Sequence, residues 1–433
     1  MGAAMQQLRF LHTGDIHLGA PIRGLRNLDE QWSRRLQEAI PEAFERMVRT
    51  AVDLRVDFVI IAGDAFDASK ASYRDFKLFF EGLQKLDAAG IPAYIVAGNH
   101  DPSTSWMGDA DLLPPTAHLM GVGEPTFQLF RREGEPLCLI GARSYYNQTW
   151  PQDKDIAEGI SRAAAEAALI PGDPGAARAP FSVGIIHTGL DVDRQKAPAS
   201  EADLLARGID YWACGHLHKN LVRPSVHDPR IVFPGCIQGR NIKEAGKRGC
   251  YLATLEGGSA GPRASLEFIP LASVVFEGLE VDCGPFRTLT DLEHHIQTEM
   301  FRRNGDAHCE DMVVRVTLAG STELYGYLAD ETVLERIRKR LNDAYPNFYC
   351  DSIANRTRPA IDCGLQRREG LFPSLVMEMA DEQRARDDEM VNYIQSEFVK
   401  RGITVPESLS RRIGDFEDAA ELRVLNLLEE DER

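Results

Sequence analysis

Between Leu8 and Pro270, short runs of β-forming residues alternate with stretches of helical character. The strand-like runs are "LRFLHT", "VDFVIIAG", "IPAYIVAG", "PLCLIGA", "FSVGIIHT", "IDYWACG" and "RIVFPG". Most of them are almost continuously apolar, which is typical of strands that are covered on both faces. Strands of this kind that alternate with helices indicate an α/β domain, which we place at residues 1–270.

One helix of this domain is predicted together with both of its ends. The segment "SYRDFKLFFEGLQKLDAAG" has apolar residues at helical spacing, at Phe76, Phe79, Phe80, Leu83 and Leu86. Ser72 and Asp75 match a variant capping box at its start, and Gly90 stands where a helix C-terminal glycine belongs. We therefore expect a helix between Ser72 and Gly90.

A second, smaller domain is predicted over residues 271–360. Its α+β pattern consists of "SVVFEGLEV", the helix "TDLEHHIQTEM", the strand "DMVVRVTLAG", the helix "ETVLERIRKRLN" and "FYCDSI". The remaining segment, 364–433, has the pattern of helices, including "DFEDAAELRVLNLLEE" with apolar residues on one face. The chain is thus expected to have two domains and a helical C-terminal tail.

Composition and charge limit the class of protein. The chain is 43% hydrophobic and 8% aromatic, which is ordinary for a protein with a buried core. The N-terminus has no basic stretch followed by an apolar run, and nowhere do about eighteen apolar residues follow one another, so we expect a soluble cytoplasmic protein without a membrane partner. The 8 cysteines include no CxxC pair, which argues against a zinc ribbon.

The net charge of -17 counts against nucleic acid as a partner, because phosphate binding normally needs a basic surface. Part of this charge is local, since residues 364–433 hold 10 Lys and Arg against 17 Asp and Glu. Carboxylates that bind metals also count as negative until a metal neutralises them. The overall sign is therefore only weak evidence against DNA.

Five motifs follow predicted strands and carry Asp, His or Asn at the strand ends. They are "GDIH" (14–17), "GDAFD" (63–67), "GNHD" (98–101), "IIHTG" (185–189) and "GHLH" (215–218). In an extended chain, residues two apart point to the same side, so Asp15 and His17 can share one pocket, as can His216 and His218. The motifs therefore predict one polar site at the strand ends.

The donors in these motifs indicate a metal site. Imidazole and carboxylate donors without thiolate suit manganese, iron or zinc better than magnesium or calcium. One ion cannot take all of them and still leave a position open for substrate, whereas two ions about 3.5–4 Å apart can, if one carboxylate bridges them. The predicted ligands are Asp15, His17, Asp64, Asn99, His187, His216 and His218.

The ordered set D-x-H, G-D-x-x-D, G-N-H-D, a single His and G-H-x-H resembles the calcineurin-like metallophosphoesterase superfamily. That resemblance implies a four-layer α/β/β/α sandwich in which Asp64 bridges two metals. It assigns one metal to Asp15, His17, Asp64 and His218, and the other to Asp64, Asn99, His187 and His216. It also implies that His100 contacts the phosphate and helps to protonate the leaving oxygen.

Within the superfamily, "GDIHLGAP", "GIPAYIVAGNHDP", "DLLARGIDYWACGHLHK" and "VFPGCIQGRNIKEAGKRGCYL" are similar to the SbcD- and YhaO-type bacterial DNA repair exonucleases. The similarity implies two Mn²⁺ ions and cleavage of DNA, 3′ to 5′ at duplex ends with some endonuclease activity on single strands or hairpins. It also implies that Arg240 and Asn241 contact the DNA phosphates. Archaeal and eukaryotic relatives have His at the position of Asp67, so we expect Asp67 and Asp101 to orient the ligands instead.

The same resemblance suggests partners for the other segments. Residues 271–360 match a domain that caps the DNA, and the acidic tail 364–433 would dock an SbcC-like coiled-coil ATPase. The aromatic helix around Phe76 could form a homodimer contact. Two other functions stay open: another phosphoesterase of the same fold, such as a protein phosphatase or cyclic-nucleotide phosphodiesterase, and a non-catalytic adaptor for DNA ends or the ATPase.

Overall fold

The structure, a computed structural model, describes residues 6–25, 28–106, 112–193, 195–258, 261–307 and 309–360, with scattered positions between 375 and 424. Apart from those positions, the helical tail predicted at 364–433 lies outside the described residues. Among the described helices, none is long and apolar enough to cross a membrane.

The described elements alternate strands and helices through the first 270 residues. The strands are β1 (Gln7–Thr13), β2 (Phe58–Ala62), β3 (Ala93–Val96), β4 (Ala117–Leu119), β5 (Thr126–Arg132), β6 (Glu135–Arg143), β7 (Phe181–His187), β8 (Tyr211–Gly215), β9 (Leu221–Ser225), β10 (Asp228–Phe233), β11 (Gly249–Glu256), β12 (Arg263–Pro270), β13 (Val274–Asp282), β14 (Asp311–Ala319), β15 (Ser321–Thr322), β16 (Phe348–Asn355) and β17 (Arg358–Pro359). The helices are α1 (Glu30–Leu54), α2 (Tyr73–Ala88), α3 (Ser103–Trp106), α4 (Arg162–Leu169), α5 (Glu201–Ala206), α6 (Leu289–Ala307), α7 (Tyr325–Leu328) and α8 (Glu331–Ala344).

Two six-stranded sheets form the first part of the chain. One has the order β12–β11–β1–β2–β3–β4, with β1 to β4 parallel, and the other has the order β5–β6–β7–β8–β10–β9, with β6, β7, β8 and β10 parallel. Antiparallel strands complete the edges of both sheets. Because parallel strands end at the same edge, the loops after β1, β2 and β3 lie together, as do those after β7 and β8.

The two sheets pack face to face. Successive side chains along β1 point to opposite faces of its sheet. Phe10 lies in the core between the two sheets, with residues such as Val183, while Leu11 faces the helices on the other side. Both faces of the central strands are therefore buried, which explains the almost continuous apolar runs in the sequence.

Helices cover the outer face of each sheet. On the first sheet, α1 and α2 pack against strand residues such as Leu11 and Ile61. The outer face of the second sheet is covered by α5, through Leu204, and by α4, through Ala165. The four layers and the α/β class predicted from the sequence are confirmed.

Helix α2 begins and ends as predicted. The Asp75 carboxylate accepts a hydrogen bond from the Ser72 backbone N–H at 2.7 Å, and Gly90 follows with a φ of 72°. Helix α1 was not predicted. It runs for 25 residues with Pro41 inside it, a residue that ordinarily marks a helix end.

A second compact unit comprises the described residues of 278–303 and those from 314 onward, while 304–313 cluster with the first unit. Its main sheet has the order β13–β14–β16. Helices α6 and α8 bury apolar residues in the unit, including Leu292, Ile296, Ile337 and Leu341. The strands and helices that the sequence predicts for this part of the chain are all present, in an α+β arrangement.

Candidate metal centre

The five polar motifs meet at the ends of the central strands. Asp15, Asp64 and Asn99 follow β1, β2 and β3, His187 ends β7, and His216 follows β8. Four predicted ligands have a positive φ, which is 50° at Asp15, 55° at His17, 51° at Asp64 and 100° at His216. Non-glycine residues seldom adopt this conformation, and residues that do so cluster at functional sites.

Backbone hydrogen bonds hold these unusual turns in place. The Asp15 N–H donates to the Gly63 carbonyl at 3.0 Å, and the His17 N–H donates to the Asp64 carbonyl at 2.9 Å. The glycine of "GNHD" is also required, because a Cβ on Gly98 would lie 2.1 Å from Asp64 Oδ1. The loops can therefore approach closely only with these residues.

Asp64 occupies the middle of the cluster and is 1% exposed. Its Oδ2 lies 3.4 Å from His187 Nε2 and 3.7 Å from His17 Nε2, while its Oδ1 accepts the His100 N–H at 2.8 Å. Burial alone would raise the pKa of Asp64, but His187 and His17 outweigh it and hold that pKa well below its usual range. Asp64 is therefore a carboxylate placed between two imidazoles.

Asp15 lies beside the second "GHLH" histidine. Asp15 Oδ1 is 3.6 Å from His218 Nε2, and the two ring nitrogens His17 Nε2 and His218 Nε2 are 3.1 Å apart. Among the described residues, two groups are close enough to hold a metal ion: Asp15 with His17 and His218, and Asp15 with Asp64 and His187.

The orientation of His187 shows that this cluster suits a cation. Its Nδ1 lies 2.9 Å from the Ala62 carbonyl, which can only accept, so Nδ1 carries the hydrogen. In the neutral ring, the lone pair of Nε2 then faces Asp64 and also Asn99 Oδ1, which is 3.3 Å away. Acceptors that converge in this way repel one another unless a positive charge lies between them.

The pKa of His187 reports the same preference. Burial lowers it, but Asp64 and then Asp15 outweigh burial and raise the pKa of His187 to about 9. The carboxylates therefore favour a positive charge here, whether a proton or a metal carries it. At His17, burial lowers the pKa well below its usual value despite Asp64, which favours the neutral imidazole that metals bind. His17 Nδ1 has no hydrogen-bond partner within the described part of the chain.

His216 is held less directly. Its backbone N–H donates to Asp15 Oδ2 at 2.9 Å, and its ring meets the His187 ring edge to face, with centroids 5.3 Å apart. Its Nε2 lies 3.4 Å from Asp193 Oδ2, a contact that the sequence did not predict. Asp193 belongs to a long loop after β7, and no motif distinguishes it.

Glu244 is a second site residue that the sequence did not reveal. Its Oε1 lies 2.7 Å from His218 Nδ1, which leaves His218 Nε2 turned toward Asp15. Arg240 reaches the same carboxylate through Nη2 at 3.2 Å and through its backbone N–H at 2.7 Å. Burial would raise the pKa of Glu244, but His218 and Arg240 outweigh it, so its pKa lies well below the usual range. In the sequence, Glu244 is one acidic residue in the basic segment "GRNIKEAG", and no motif indicates that it belongs to the site.

Asp101 supports the centre from behind. Its Oδ1 accepts the N–H groups of Asp64 and Gly98 at 3.1 and 2.7 Å, and its Oδ2 accepts those of Ala65 and Phe66 at 2.8 and 3.3 Å. Burial and then the charge of Asp64 raise the pKa of Asp101, against these four donors. Asp101 thus fixes the "GDAFD" and "GNHD" loops to each other.

His100 lies at the rim of the centre, 44% exposed. Its ring is 4.9 Å from the His17 ring, and its Nδ1 is 3.8 Å from Asp67 Oδ1. Asp67 also pairs with Lys70 and accepts the Ser69 hydroxyl at 3.0 Å. Burial opposes ionisation, but Lys70 and Ser69 outweigh it and lower the pKa of Asp67.

The structure gives the two predicted phosphate contacts additional roles. Arg240 is turned toward Glu244, and Asn241 Oδ1 accepts the Lys243 N–H at 2.8 Å, which caps a short 3₁₀ turn at Ile242–Glu244. Both residues nevertheless line a cleft beside His100.

The fold and the buried cluster of acceptors define a metal-dependent phosphoesterase. Residues 8–220 match the calcineurin-like phosphoesterase family. Residues 276–358 match the middle domain of metallophosphoesterase YhaO.

Among individual proteins, the chain is 28% identical over 344 residues to the uncharacterized metallophosphoesterase YhaO of Bacillus subtilis, covering 78% of each chain. It is 32% identical over 258 residues to the DNA double-strand break repair protein Mre11 of Aeropyrum pernix, covering 56% of this chain and 57% of that one. The SbcD component of the SbcCD nuclease of Bacillus subtilis is 31% identical over 143 residues, or 32% of this chain and 34% of that component. The chain thus spans little more than half of that Mre11 and a third of that SbcD.

Proposed function

We propose that this protein is a dinuclear-metal phosphodiesterase that cleaves DNA. The observation that carries the proposal is the position of Asp64, whose Oδ2 lies between His17 Nε2 and His187 Nε2, 3.7 and 3.4 Å away. A carboxylate between two sets of nitrogen and oxygen donors suits a pair of divalent ions.

For the ligands we propose the two sets that the resemblance to the metallophosphoesterase superfamily implies. Asp15, His17, Asp64 and His218 would hold one ion, and Asp64, Asn99, His187 and His216 the other. When bound, the two ions supply Lewis acidity toward the phosphate and make water a nucleophile at neutral pH. We propose Mn²⁺ for both, since imidazole and carboxylate donors without thiolate suit it.

His100 is the proposed general acid. Its exposed ring lies at the rim, beside the buried ligand His17, where it can reach the leaving oxygen of a bound diester. Asp67, 3.8 Å from His100 Nδ1, would hold the ring with its proton-bearing nitrogen turned to the substrate.

Relatives support DNA as the substrate. The names of the Mre11 and SbcCD relatives are those of a DNA break repair protein and a nuclease. By analogy we propose a 3′ to 5′ exonuclease, with 271–360 as a DNA cap and 364–433 as the docking segment for a coiled-coil ATPase. A homodimer through the helices of the first unit belongs to the same proposal.

The test is digestion of end-labelled duplex DNA with Mn²⁺, Mg²⁺, Co²⁺ or Zn²⁺. We expect Mn²⁺-dependent shortening of the labelled strand. Asn99→Ala should reduce the rate about 100-fold or more, because it removes a metal donor, and His100→Ala should reduce it by about 100-fold or more, because it removes the acid.

Asn147→Ala, in an exposed loop, is the matched control and should cleave like the wild type. Hydrolysis of small phosphodiesters without any cleavage of DNA would contradict the DNA assignment. Equal activity of Asn99→Ala and the wild type would contradict the proposed metal centre.

A further inference from the structure

A cleft of about 250 Å³ opens beside His100. Its lining comes from the loops after β1, β2 and β3 and from the segment after β10. The lining residues are Ala20, Pro21, Arg23, Asp67, Lys70, His100, Arg240 and Asn241.

The charge of this cleft differs from that of the chain. Among the described lining residues, Arg23, Lys70 and Arg240 are cationic and Asp67 is the one carboxylate, whereas the whole chain carries -17. A concave surface of one sign concentrates ligands of the opposite sign. Lys70 pairs with Asp67 and Arg240 with Glu244, so the net positive charge of the cleft is small, but its sign still favours an anion.

The cations are held at the walls of the cleft. The Arg23 backbone N–H donates to the Arg240 carbonyl at 2.9 Å, which ties the segment after "GDIH" to the "PGCIQGRN" loop. Lys70 pairs with Asp67 and its side chain is 38% exposed, so solvent, and with it a ligand, reaches the side chain. Asn241 uses its side-chain oxygen to accept from the Lys243 N–H, which leaves its NH₂ group as a donor.

The place of His100 indicates which anion the cleft binds. The His100 ring stands between the buried ligand His17 and the cleft. If a diester lies at the metal centre with its leaving oxygen at His100, the nucleotide on the leaving side continues into the cleft. The next phosphate of the strand then meets Arg23 and Lys70.

We propose that this cleft is a second phosphate subsite, in which Arg23, Lys70 and Asn241 bind the phosphate that follows the leaving-group nucleotide. The inference rests on the proposed function, because it takes the substrate to be a nucleic acid strand. Such a subsite makes the enzyme prefer substrates with at least two phosphates over isolated diesters.

The test compares two substrates with the full chain and Mn²⁺: a single-stranded oligonucleotide and bis(4-nitrophenyl) phosphate, which has one phosphate. In the double variant Arg23→Gln, Lys70→Gln, kcat/KM for the oligonucleotide should fall at least about tenfold further than kcat/KM for the small diester, because lost phosphate contacts weaken strand binding alone. The control Arg34→Gln removes one charge from an exposed position on α1 outside the cleft. In this variant, kcat/KM for the oligonucleotide and kcat/KM for the small diester should change by the same factor.

A second readout needs no catalysis. In EDTA, fluorescence anisotropy gives the affinity for a labelled oligonucleotide as a function of salt. The double variant should bind more weakly, and the slope of log affinity against log salt should fall by about 0.7, since about 0.7 belongs to each phosphate contact of a single strand and the subsite binds one phosphate.

Failure of the phosphate subsite and failure of the proposed DNA cleavage give different results. If the wild type cleaves DNA but the double variant loses the same factor on both substrates, the subsite is wrong and the proposed function stands. If the wild type hydrolyses the small diester and never the oligonucleotide, the proposed function on DNA is wrong, and the subsite with it.

Discussion

At the scale of single residues, the two histidines of "GHLH" have different partners. His218 Nε2 faces Asp15, while its Nδ1 meets Glu244 at 2.7 Å. His216 contacts Asp15 through its backbone and Asp193 through its ring. Asp15 is a neighbour of both, and we propose that each histidine serves a different metal. Glu244, which lies 26 residues further along the chain, contacts the His218 ring together with Arg240, whose Nη2 is 2.9 Å from the same Nδ1.

Removing the Glu244 carboxylate should weaken metal binding. Glu244→Ala leaves His218 Nδ1 without its acceptor, so the ring is no longer held with Nε2 toward Asp15, and we expect Mn²⁺ affinity to fall about 10–100-fold in isothermal titration calorimetry. Glu244→Gln keeps an acceptor oxygen, so its Mn²⁺ affinity should fall less. The exposed Glu135→Ala is the control. Wild-type affinity in Glu244→Ala would show that the ring is held by its other contacts.

At the scale of elements, the central strands were predictable and some of their neighbours were not. Strands β1, β2, β3, β7 and β8 are buried on both faces, so nearly every residue in them is apolar. The polar motifs mark where each apolar run ends. Helix α1 was missed because Pro41 lies inside it. Glu244 and Asp193 were missed because their contacts depend on how distant loops close over the strand ends, which no local pattern records.

Strand β1 also carries a buried histidine that gives the fold a pH dependence. His12 is fully buried, and its Nδ1 lies 2.9 Å from the Tyr211 hydroxyl. Burial lowers the pKa of His12 from 6.5 to about 3, despite a hydrogen bond with the Cys214 backbone. The neutral ring is therefore the form that the folded protein accommodates.

The sign of the effect follows from proton binding. Below the ordinary pKa of 6.5 the unfolded chain protonates His12, whereas the folded chain does so only near a pKa of about 3, so acid favours unfolding. His12 should remove about 2 kcal/mol from the free energy of unfolding between about pH 7 and about pH 5. Urea denaturation in EDTA at both pH values should show this extra loss in the wild type and not in His12→Gln. Equal losses in the two proteins would contradict a depressed pKa.

At the scale of the whole molecule, the ligands come from motifs spread between residues 15 and 218, and the first unit of the structure contains them all. The sequence predicted which residues lie together because parallel strands end at the same edge of a sheet, and each motif follows the end of such a strand. It could not predict that Arg240 turns to Glu244, because that contact depends on the conformation of the "GRNIKEAG" turn.

The number of Mn²⁺ ions bound per chain tests the central claim most directly. Equilibrium dialysis against Mn²⁺, followed by metal analysis of the protein, should give two ions per chain for the wild type, because the donors form two sets that share Asp64. His218→Ala should lose mainly one ion, and Asp64→Asn should weaken both. A wild-type protein that saturates with a single ion, or binds none, would contradict a dinuclear centre.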